Sequence, residues 1–367
     1  MTDDNSPPQP RQALASIAPY RQGKSALAGH STVIKLSSNE SCFGPSPAAV
    51  DAYQRAAAQL HHYPDGQQTR LRHAIAAAHG INADQIVCGN GSEELIGLAI
   101  RAFVDAGDEL LLTENHFVMC PIYGQVQAAK VVFAPERDDR VDVDAILTRV
   151  TSRTRAVIVA NPNNPTGTCI GRTAIAQLIR ALPRRVLLML DGAYAEYVLR
   201  EDFDAGEELV AQHDNLVMLR TFSKIHGLAG LRIGWMYGPP PIVEAVNRIR
   251  TPFNANAAAM AAASAAIADR EHVRRSAQHN ERALSSLRGS LSALGLGVTD
   301  SVANFYLLSF AALPGKSASG AARWLERRGI IPRPVANRGV DERLRITVGL
   351  DHENDAVLAA LRDYIAS

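Results

Sequence analysis

One lysine in this chain lies where its side chain could act as an amine nucleophile. Lys224 follows a short apolar run, residues 216–219, and precedes a glycine-punctuated loop that also carries Arg232. A lysine that is partly removed from water has a lowered pKa, so more of its amine is neutral and able to attack a carbonyl. The planar fork of a nearby arginine suits a phosphate group. With the upstream segments considered, this pattern favours a Schiff-base lysine over a surface lysine on a loop.

A Gly-Asn-Gly-Ser-Glu turn predicts an anion site. It follows a predicted strand and opens a predicted helix, so the backbone N–H groups of Gly91, Ser92 and Glu93 and the helix dipole would favour a negative group. Considered alone, the glycines of this turn would be explained by an ordinary connection between a strand and a helix. Combined with Ser223 and Arg232, the turn is better interpreted as part of a phosphate-binding site.

Two polar side chains, Asn164 and Asp191, follow two further predicted strands. In open α/β sheets, ligands collect at the carboxyl ends of the strands. A carboxylate there can pair with a cationic group of a bound ligand. The competing interpretations are a helix cap for Asp191 and a proline-rich turn for Asn164, which lies in an Asn-Pro-Asn-Asn-Pro-Thr-Gly segment.

The order of these motifs resembles that of fold-type I pyridoxal-phosphate aminotransferases, specifically the histidinol-phosphate aminotransferase family. The similarity extends from Ile17-Ala-Pro-Tyr20 to Leu344-Arg-Ile-Thr-Val-Gly349, which is nearly the whole chain. Several motifs in the same order are more specific than any one short pattern. The resemblance implies an α/β fold with a large domain, built on a mostly parallel seven-stranded sheet, and a smaller α+β domain.

The resemblance also implies pyridoxal 5′-phosphate as the cofactor and a role for each motif. Lys224 would bind the cofactor covalently, Asp191 would hold the pyridine nitrogen, and Asn164 with Tyr194 would contact the phenolic oxygen. Phe117 would stack on the ring, although a core phenylalanine is the alternative. The cofactor phosphate would be bound by Gly91, Ser92, Glu93, Ser223 and Arg232, together with Tyr63 from the other subunit of a homodimer.

On the substrate side, the resemblance implies that Arg345 anchors the substrate anion, with supporting contacts from Tyr20, Asn39 and Arg333. The implied reaction is a ping-pong transamination of L-histidinol phosphate with 2-oxoglutarate and glutamate as the second pair. An aromatic amino-acid aminotransferase is the close alternative, because Arg345 can hold either anion. A threonine-phosphate decarboxylase shares the scaffold. A pyridoxal-binding transcription regulator would need a DNA-binding domain, for which the short N-terminus leaves no room.

Composition limits the remaining classes of function. Hydrophobic residues make up 47% of the 367-residue chain, charged residues make up 20%, and the formal net charge is +1, which indicates neither nucleic acid nor an anionic membrane as a partner. The four cysteines are far apart and His61-His62 lacks partners at ligand spacing, so no metal site is expected. The N-terminus has no apolar core of a signal peptide, and the Ala-rich run at 255–268 is too short to span a bilayer. We therefore expect a cytoplasmic enzyme.

Alternating apolar runs and amphipathic stretches predict strands that are covered by helices on both faces of a sheet. Residues 1–12 are predicted to be a disordered tail. Residues 13–45 and 253–367 are predicted to form a discontinuous small domain, and residues 46–252 the large cofactor-binding domain. The predicted strands of the large sheet are residues 86–88, 109–112, 130–133, 156–160, 186–190, 216–219 and 233–237.

Overall fold

In the computed structural model of the chain, residues 7–15, 17–19, 22–335 and 342–367 are described, so Tyr20 lies outside the described residues. The helices are α1 Pro47–Ala57, α2 Thr69–His79, α3 Ser92–Phe103, α4 Met119–Val126, α5 Val143–Arg149, α6 Arg172–Ala181, α7 Glu207–Gln212, α8 Pro240–Ile249, α9 Ala257–Ala268, α10 Arg270–Ala293, α11 Ala318–Glu326 and α12 Asp351–Ala366. The strands of the large unit are β2 Ile86–Gly89, β3 Glu109–Thr113, β4 Lys130–Ala134, β5 Glu136–Arg137, β6 Arg140–Val141, β7 Thr154–Ala160, β8 Leu187–Asp191, β9 Leu216–Thr221 and β10 Gly234–Tyr237. The remaining strands are β1 Ile34–Lys35, β11 Gly297–Val298, β12 Phe305–Ser309, β13 Ile330–Ile331, β14 Arg333–Val335 and β15 Arg343–Thr347.

The large unit is built on a seven-stranded sheet in the described part of the chain, with the strand order β2-β10-β9-β8-β7-β3-β4. The pairs among β9, β8, β7, β3 and β4 are parallel, and β10 is antiparallel to both of its neighbours. Every residue of β3, β8 and β9 is buried, as expected for parallel strands with helices on both faces. The predicted fold class is confirmed, and all seven predicted strands lie in this sheet.

The sequence explains where the helices that cover the sheet begin and which of their faces are buried. Ser46 precedes α1, and its side chain accepts a hydrogen bond from the backbone N–H of Ala49. The helix α8 has a proline at its first position, where the missing N–H costs nothing. Its buried residues, Ile242, Val243 and Val246, lie on one face and pack in the core between α3 and the sheet. These helices leave the carboxyl edge of the sheet open.

The alanine-rich helix α9 packs against α1 and α2, within the core of the large unit. Apolar residues surround its whole circumference, which is typical of a fully buried helix, and their small size permits close approach. The packing therefore groups α9 with the large unit, whereas the predicted boundary at residues 252 and 253 assigns it to the small domain, and the division into domains stays a prediction. The sequence change near that boundary reflects burial of α9.

The small unit contains an antiparallel sheet of order β11-β12-β15-β14, packed with α10, α11 and α12. The N-terminal segment joins it, because β1 pairs in parallel with β13 and Leu36 lies in the same core. The residues before that segment differ from the prediction. Gln12–Leu14 packs against α4 of the large unit, and Arg11 donates a hydrogen bond to the carbonyl oxygen of Val126 at 2.7 Å.

No helix in the described ranges combines the length and the apolar composition needed to cross a membrane. In those same ranges, histidine, cysteine and carboxylate side chains form no group that could hold a metal ion.

Candidate active site

A cavity of about 250 Å³ lies where the carboxyl edge of the large sheet meets β14 and β15 of the small unit. Strands β7, β8 and β9 end at this edge with Ala160, Asp191 and Thr221, and all three residues line the cavity. The cavity brings together most of the predicted site residues. Those that line it are Asn39, Ser92, Glu93, Phe117, Asn164, Asp191, Tyr194, Ser223, Lys224, Arg232, Arg333 and Arg345.

Lys224 follows the end of β9 and reaches the cavity with its amine. The Nζ atom donates a hydrogen bond to the carbonyl oxygen of Ser38 at 3.2 Å and lies 5.6 Å from the centre of the Tyr194 ring. Removal from water, together with the smaller effect of the positive charge of Arg345, lowers the pKa of Lys224 to about 8. The lowered pKa expected from the sequence is therefore present, and a larger fraction of this amine is neutral near pH 7 than of a lysine amine in water.

This pKa gives a first testable prediction. Because only the neutral amine attacks a carbonyl, the rate at which cofactor-free protein reacts with an aldehyde reagent should rise with pH to a midpoint near 8. Rapid mixing followed by reduction and peptide mapping would measure this rate for Lys224. A midpoint above pH 10, near the ordinary lysine pKa of 10.5, would show that burial does not lower the pKa of Lys224. The Lys224→Ala variant identifies the background reaction of the other lysines.

The start of α3 and Arg232 form one anion-binding set. Gly91 precedes the helix with a φ of +87°, and a Cβ atom there would lie 2.6 Å from Arg232 Nη2, so only glycine permits this approach. Arg232 Nη1 donates to Ser223 Oγ at 3.2 Å. Arg232 also has a positive φ of 54°, a backbone conformation that costs a non-glycine residue about 1–3 kcal/mol. These features fit a phosphate held by the N–H groups at the beginning of α3 and by the guanidinium.

Asp191 is buried at the end of β8, with 7% of its surface exposed. The backbone N–H of Ala193 donates to its Oδ1 atom at 3.1 Å. Burial raises the pKa of this carboxyl to about 6, because the charged form loses its water, although the Ala193 hydrogen bond and the charge of Lys224 act against the shift. A cationic nitrogen in the cavity would offset this desolvation. The site therefore fits a protonated pyridine ring.

Arg345 connects the small unit to the Asn-Pro-Asn-Asn-Pro-Thr-Gly loop that follows β7. Its Nη1 atom donates to Asn164 Oδ1 at 2.6 Å, and its Nη2 atom donates to the carbonyl oxygen of Ser37 at 2.9 Å. Since the amide oxygen of Asn164 accepts from Arg345, the amide nitrogen of Asn164 is the end that can donate to a ligand.

A second polar contact joins Asn39 to Tyr194. Asn39 is buried, with 1% of its surface exposed, and its Nδ2 atom donates to the Tyr194 hydroxyl at 2.9 Å. Thr347 Oγ1 accepts from the backbone N–H of Asn39 at 2.9 Å and donates to Asn39 Oδ1 at 3.3 Å. The hydroxyl of Tyr194 is thus fixed at the cavity wall by a residue from the N-terminal segment.

Arg333 and Arg345 are register partners in β14 and β15, and both line the cavity. Directly opposed like charges on adjacent strands repel each other. An anion bound between or beside the two guanidinium groups would reduce that repulsion and accept hydrogen bonds from both. This pair of arginines therefore fits an anion, and it is separate from the set at α3.

Two comparisons with known proteins decide the family. The family model described as aminotransferase class I and II matches residues 31–361. The chain belongs to this family. Two curated relatives, named as histidinol-phosphate aminotransferases of Nitrobacter hamburgensis and Nitrobacter winogradskyi, are each 48% identical to it over 98% of this chain and 99% of the relative.

A solved structure agrees with the assignment to the aminotransferases. The histidinol-phosphate aminotransferase of Sinorhizobium meliloti, solved in complex with pyridoxal 5′-phosphate, superposes with a TM-score of 0.85 at 30% identity. The superposition covers 91% of this chain and 92% of that one. This aminotransferase therefore shares both the sheet and the small unit with that structure.

Among the described residues of the predicted site, Tyr63 and Gly91 do not line the cavity of this aminotransferase, and Gly91 directly precedes the lining residue Ser92. Tyr63 is 83% exposed and stacks on Phe253, with ring centres 4.7 Å apart and planes inclined at 17°. Tyr20 falls outside the described residues. Phe117 does line the cavity, and it also packs against the core beside α3, so the two interpretations of this residue are compatible.

Several cavity residues were missed from the sequence. Ser37 and Ser38 contribute backbone carbonyl oxygens to Arg345 and Lys224. A backbone acceptor can come from any residue type, so the sequence carries no signal for it. Thr221 and Ala193 could have been found, because they lie beside a predicted strand end and a predicted site residue. The others are Gly23, Ile96, Ala160 and Pro162.

Proposed function

We propose that this aminotransferase transfers the amino group of L-histidinol phosphate to 2-oxoglutarate, with pyridoxal 5′-phosphate as its cofactor. The observation that carries the proposal is one cavity that is lined by Arg232 beside the start of α3, by Arg333 and Arg345 of β14 and β15, and by a lysine of lowered pKa. Arg232 suits the cofactor phosphate, and the pair on β14 and β15 suits the substrate anion. The two curated relatives support the choice of substrate.

The cofactor-binding residues follow from this arrangement. Arg232, Ser223 and the N–H groups of Gly91, Ser92 and Glu93 would hold the cofactor phosphate. Asp191 would pair with the ring nitrogen, Asn164 and Tyr194 would contact the ring oxygen, and Phe117 would stack on the ring. When bound, the cofactor supplies an electron sink for the carbon that carries the substrate amine.

The chain's own residues would then orient the substrate and move one proton. Lys224 Nζ, whose pKa is lowered to about 8, would in its neutral form take the proton from the substrate carbon that bears the amine and later return a proton as an acid. Arg345 and Arg333 would hold the substrate anion, with Asn39 and Tyr20 in supporting positions. The free thiols Cys42, Cys88, Cys120 and Cys169 favour a reducing compartment, and we infer a cytoplasmic enzyme.

A substrate panel tests the proposal. Glutamate formation from 2-oxoglutarate would be measured with L-histidinol phosphate, phenylalanine, tyrosine and aspartate as amino donors, and carbon dioxide release would be measured with threonine phosphate. We expect the highest kcat/KM for L-histidinol phosphate. A higher value for phenylalanine or tyrosine would favour the aromatic aminotransferase, and carbon dioxide release without glutamate would favour the decarboxylase.

Replacement of Arg345 by alanine should weaken substrate binding. Hydrogen bonds to charged groups contribute about 1.5–3 kcal/mol, so KM should rise about 10- to 100-fold for phosphate and carboxylate substrates alike. Steady-state kinetics would measure this. Arg323→Ala, which removes an exposed arginine of α11, is the matched control and should keep the wild-type KM. An unchanged KM in Arg345→Ala would show that another residue anchors the anion.

We also propose a homodimer in which Tyr63 completes the cofactor site of the other subunit. Tyr63 stacks on Phe253, both rings are exposed, and Tyr53 and Leu60, which precede Tyr63 in the chain, are exposed as well. Exposed apolar patches mark surfaces that contact other proteins, and two-fold dimers are the commonest symmetric assembly. Tyr63 does not line the cavity of its own chain, which agrees with a contribution to a different subunit.

A complementation experiment tests the shared site. Lys224→Ala and Tyr63→Ala subunits, each shown to be impaired alone, would be mixed and allowed to exchange. Each mixed dimer has one site with its own Lys224 and an intact Tyr63 from its partner, so random mixing should restore about a quarter of the wild-type activity. Absence of recovery, with subunit exchange demonstrated by mass spectrometry, would mean that each site is built from one chain.

A further inference from the structure

Glu136, the first residue of β5, connects the loop that follows β3 to the loop that follows β7, and both loops contribute residues to the candidate active site. Its Oε1 atom accepts from the Nδ2 atom of Asn163 at 3.2 Å and from the backbone N–H of Asn115 at 3.3 Å. Its Oε2 atom accepts from the Nδ2 atom of Asn115 at 2.7 Å. Asn163 Nδ2 also donates to the carbonyl oxygen of Asn115 at 2.9 Å, so the two loops contact each other at the same point.

Each of these loops carries a residue that the proposed function places against the cofactor. Asn163 directly precedes Asn164, whose amide faces the cavity. Asn115 lies two residues before Phe117, which lines the same cavity. A shift of the carboxyl of Glu136 would therefore be transmitted to both cavity residues through the backbone. Glu136 itself does not line the cavity.

We propose that Glu136 is a positioning residue for transamination, which holds Asn164 and Phe117 in the geometry that the cofactor ring requires. This inference rests on the proposed function. A carboxylate suits the position because three N–H donors converge on its two oxygens. A displacement of about 1 Å in groups that orient a reacting centre is enough to lower a rate substantially.

The same hairpin also touches the small unit, which supports a role in the geometry of the site. Asp139, at the hairpin tip between β5 and β6, forms an ion pair with Arg343 at 2.6 Å. Arg343 lies two residues before the cavity residue Arg345 on β15. The carbonyl oxygen of Asp139 accepts from Thr168 Oγ1 at 2.6 Å. The hairpin therefore contacts the loop after β7 at two positions, Asn163 and Thr168. It also contacts β15, the strand that carries Arg345.

The amide oxygens near Glu136 indicate which replacement should be tolerated. Among the described residues, Asn115 Oδ1 and Asn163 Oδ1 are buried and have no hydrogen-bond partner. Burial raises the pKa of Glu136 to about 7, so a protonated form is also populated near neutral pH. Rotation of the Asn115 amide would let its oxygen accept from a protonated carboxyl or from the amide of a glutamine. Glu136→Gln should therefore keep the bridge, whereas Glu136→Ala removes it.

The test uses the complete protein loaded with pyridoxal 5′-phosphate and follows the visible absorbance of the bound cofactor as a function of pH. Hydrogen bonds donated to the ring oxygen stabilise its more negative, deprotonated form. Glu136→Ala should therefore raise the titration midpoint by about one pH unit, the size expected for one weakened hydrogen bond. It should also lower kcat/KM for L-histidinol phosphate about 10-fold or more.

Two variants serve as controls. Glu136→Gln should restore a titration midpoint and a kcat/KM close to those of the wild type. Asp138→Asn removes a charge from the exposed tip of the same hairpin, at a left-handed position that asparagine tolerates, and should change neither quantity. If Glu136→Ala does not fold, Asn163→Ala removes the bridge from the side of the loop and should shift the absorbance midpoint in the same direction.

An absorbance midpoint and a kcat/KM equal to those of the wild type in Glu136→Ala, or in Asn163→Ala where that variant replaces it, would overturn the proposal. Equal losses in Glu136→Gln and Glu136→Ala would also overturn it, because the bridge would then not account for the effect. Failure of the proposed function has a different signature. In that case the wild-type protein binds the cofactor and its absorbance titrates with pH, but L-histidinol phosphate gives no glutamate. The effect of Glu136 on the titration remains measurable.

Discussion

Replacement of Lys224 by alanine is expected to lower transamination by about 10⁴-fold or more. A side chain that transfers a proton in the transition state contributes roughly 10²- to 10⁴-fold, and the variant also loses the amine that binds the cofactor covalently. The fold should persist, because Lys224 donates a single hydrogen bond, to Ser38, from a partly desolvated amine. Single-turnover kinetics with L-histidinol phosphate would measure the loss.

Lys130→Ala is the matched control for this experiment. Lys130 is an exposed lysine at the start of β4 on the same unit, and its replacement should leave the rate within about twofold of the wild type. Activity of Lys224→Ala close to that of the control would show that a different amine performs the reaction.

Replacement of Asp191 by alanine or asparagine should have the second largest effect. Removal of one partner from a buried charge pair costs about 3–5 kcal/mol, which corresponds to a rate loss of about 10²- to 10⁴-fold when the pair is strongest in the transition state. The loss should appear in kcat more than in KM, because Asp191 would act on the ring nitrogen and not on the substrate.

Folding should not suffer in these Asp191 variants. Because burial raises the pKa of Asp191 from 3.8 to about 6, the folded cofactor-free protein loses stability as the pH rises through this range. Removal of the charge should therefore preserve or raise the thermal stability of the cofactor-free protein at pH 8. Near wild-type turnover in Asp191→Ala would mean that another group tunes the ring.

Much of the fold follows from local patterns. The strands of the large sheet were predictable because parallel strands buried on both faces are continuous apolar runs, as in β8 and β9. The position of Asp191 in the site was predictable for the same reason, since β8 ends with it at the carboxyl edge. The short strands β1 and β13 were not, because two residues carry no periodicity and their pairing joins distant parts of the chain.

The remaining errors and omissions arise from tertiary packing. Alanine-rich sequence predicts a helix at α9 but does not tell which unit buries it, and the packing against α1 and α2 decides that. Glu136 could not be found from the sequence either. It lies in a short hairpin without a motif, and its importance depends on two asparagines that are distant in sequence from each other.

The central claim is that the reaction takes place at Lys224 in this cavity, and covalent mapping tests it most directly. The protein would be loaded with pyridoxal 5′-phosphate, reduced with borohydride, digested and analysed by mass spectrometry. Reduction converts a bond between the cofactor and a lysine into a stable secondary amine, which marks the residue. We expect one pyridoxyl group per chain, on the peptide that contains Ser223-Lys224-Ile225. A pyridoxyl group on a different lysine, or none despite cofactor binding, would contradict the account.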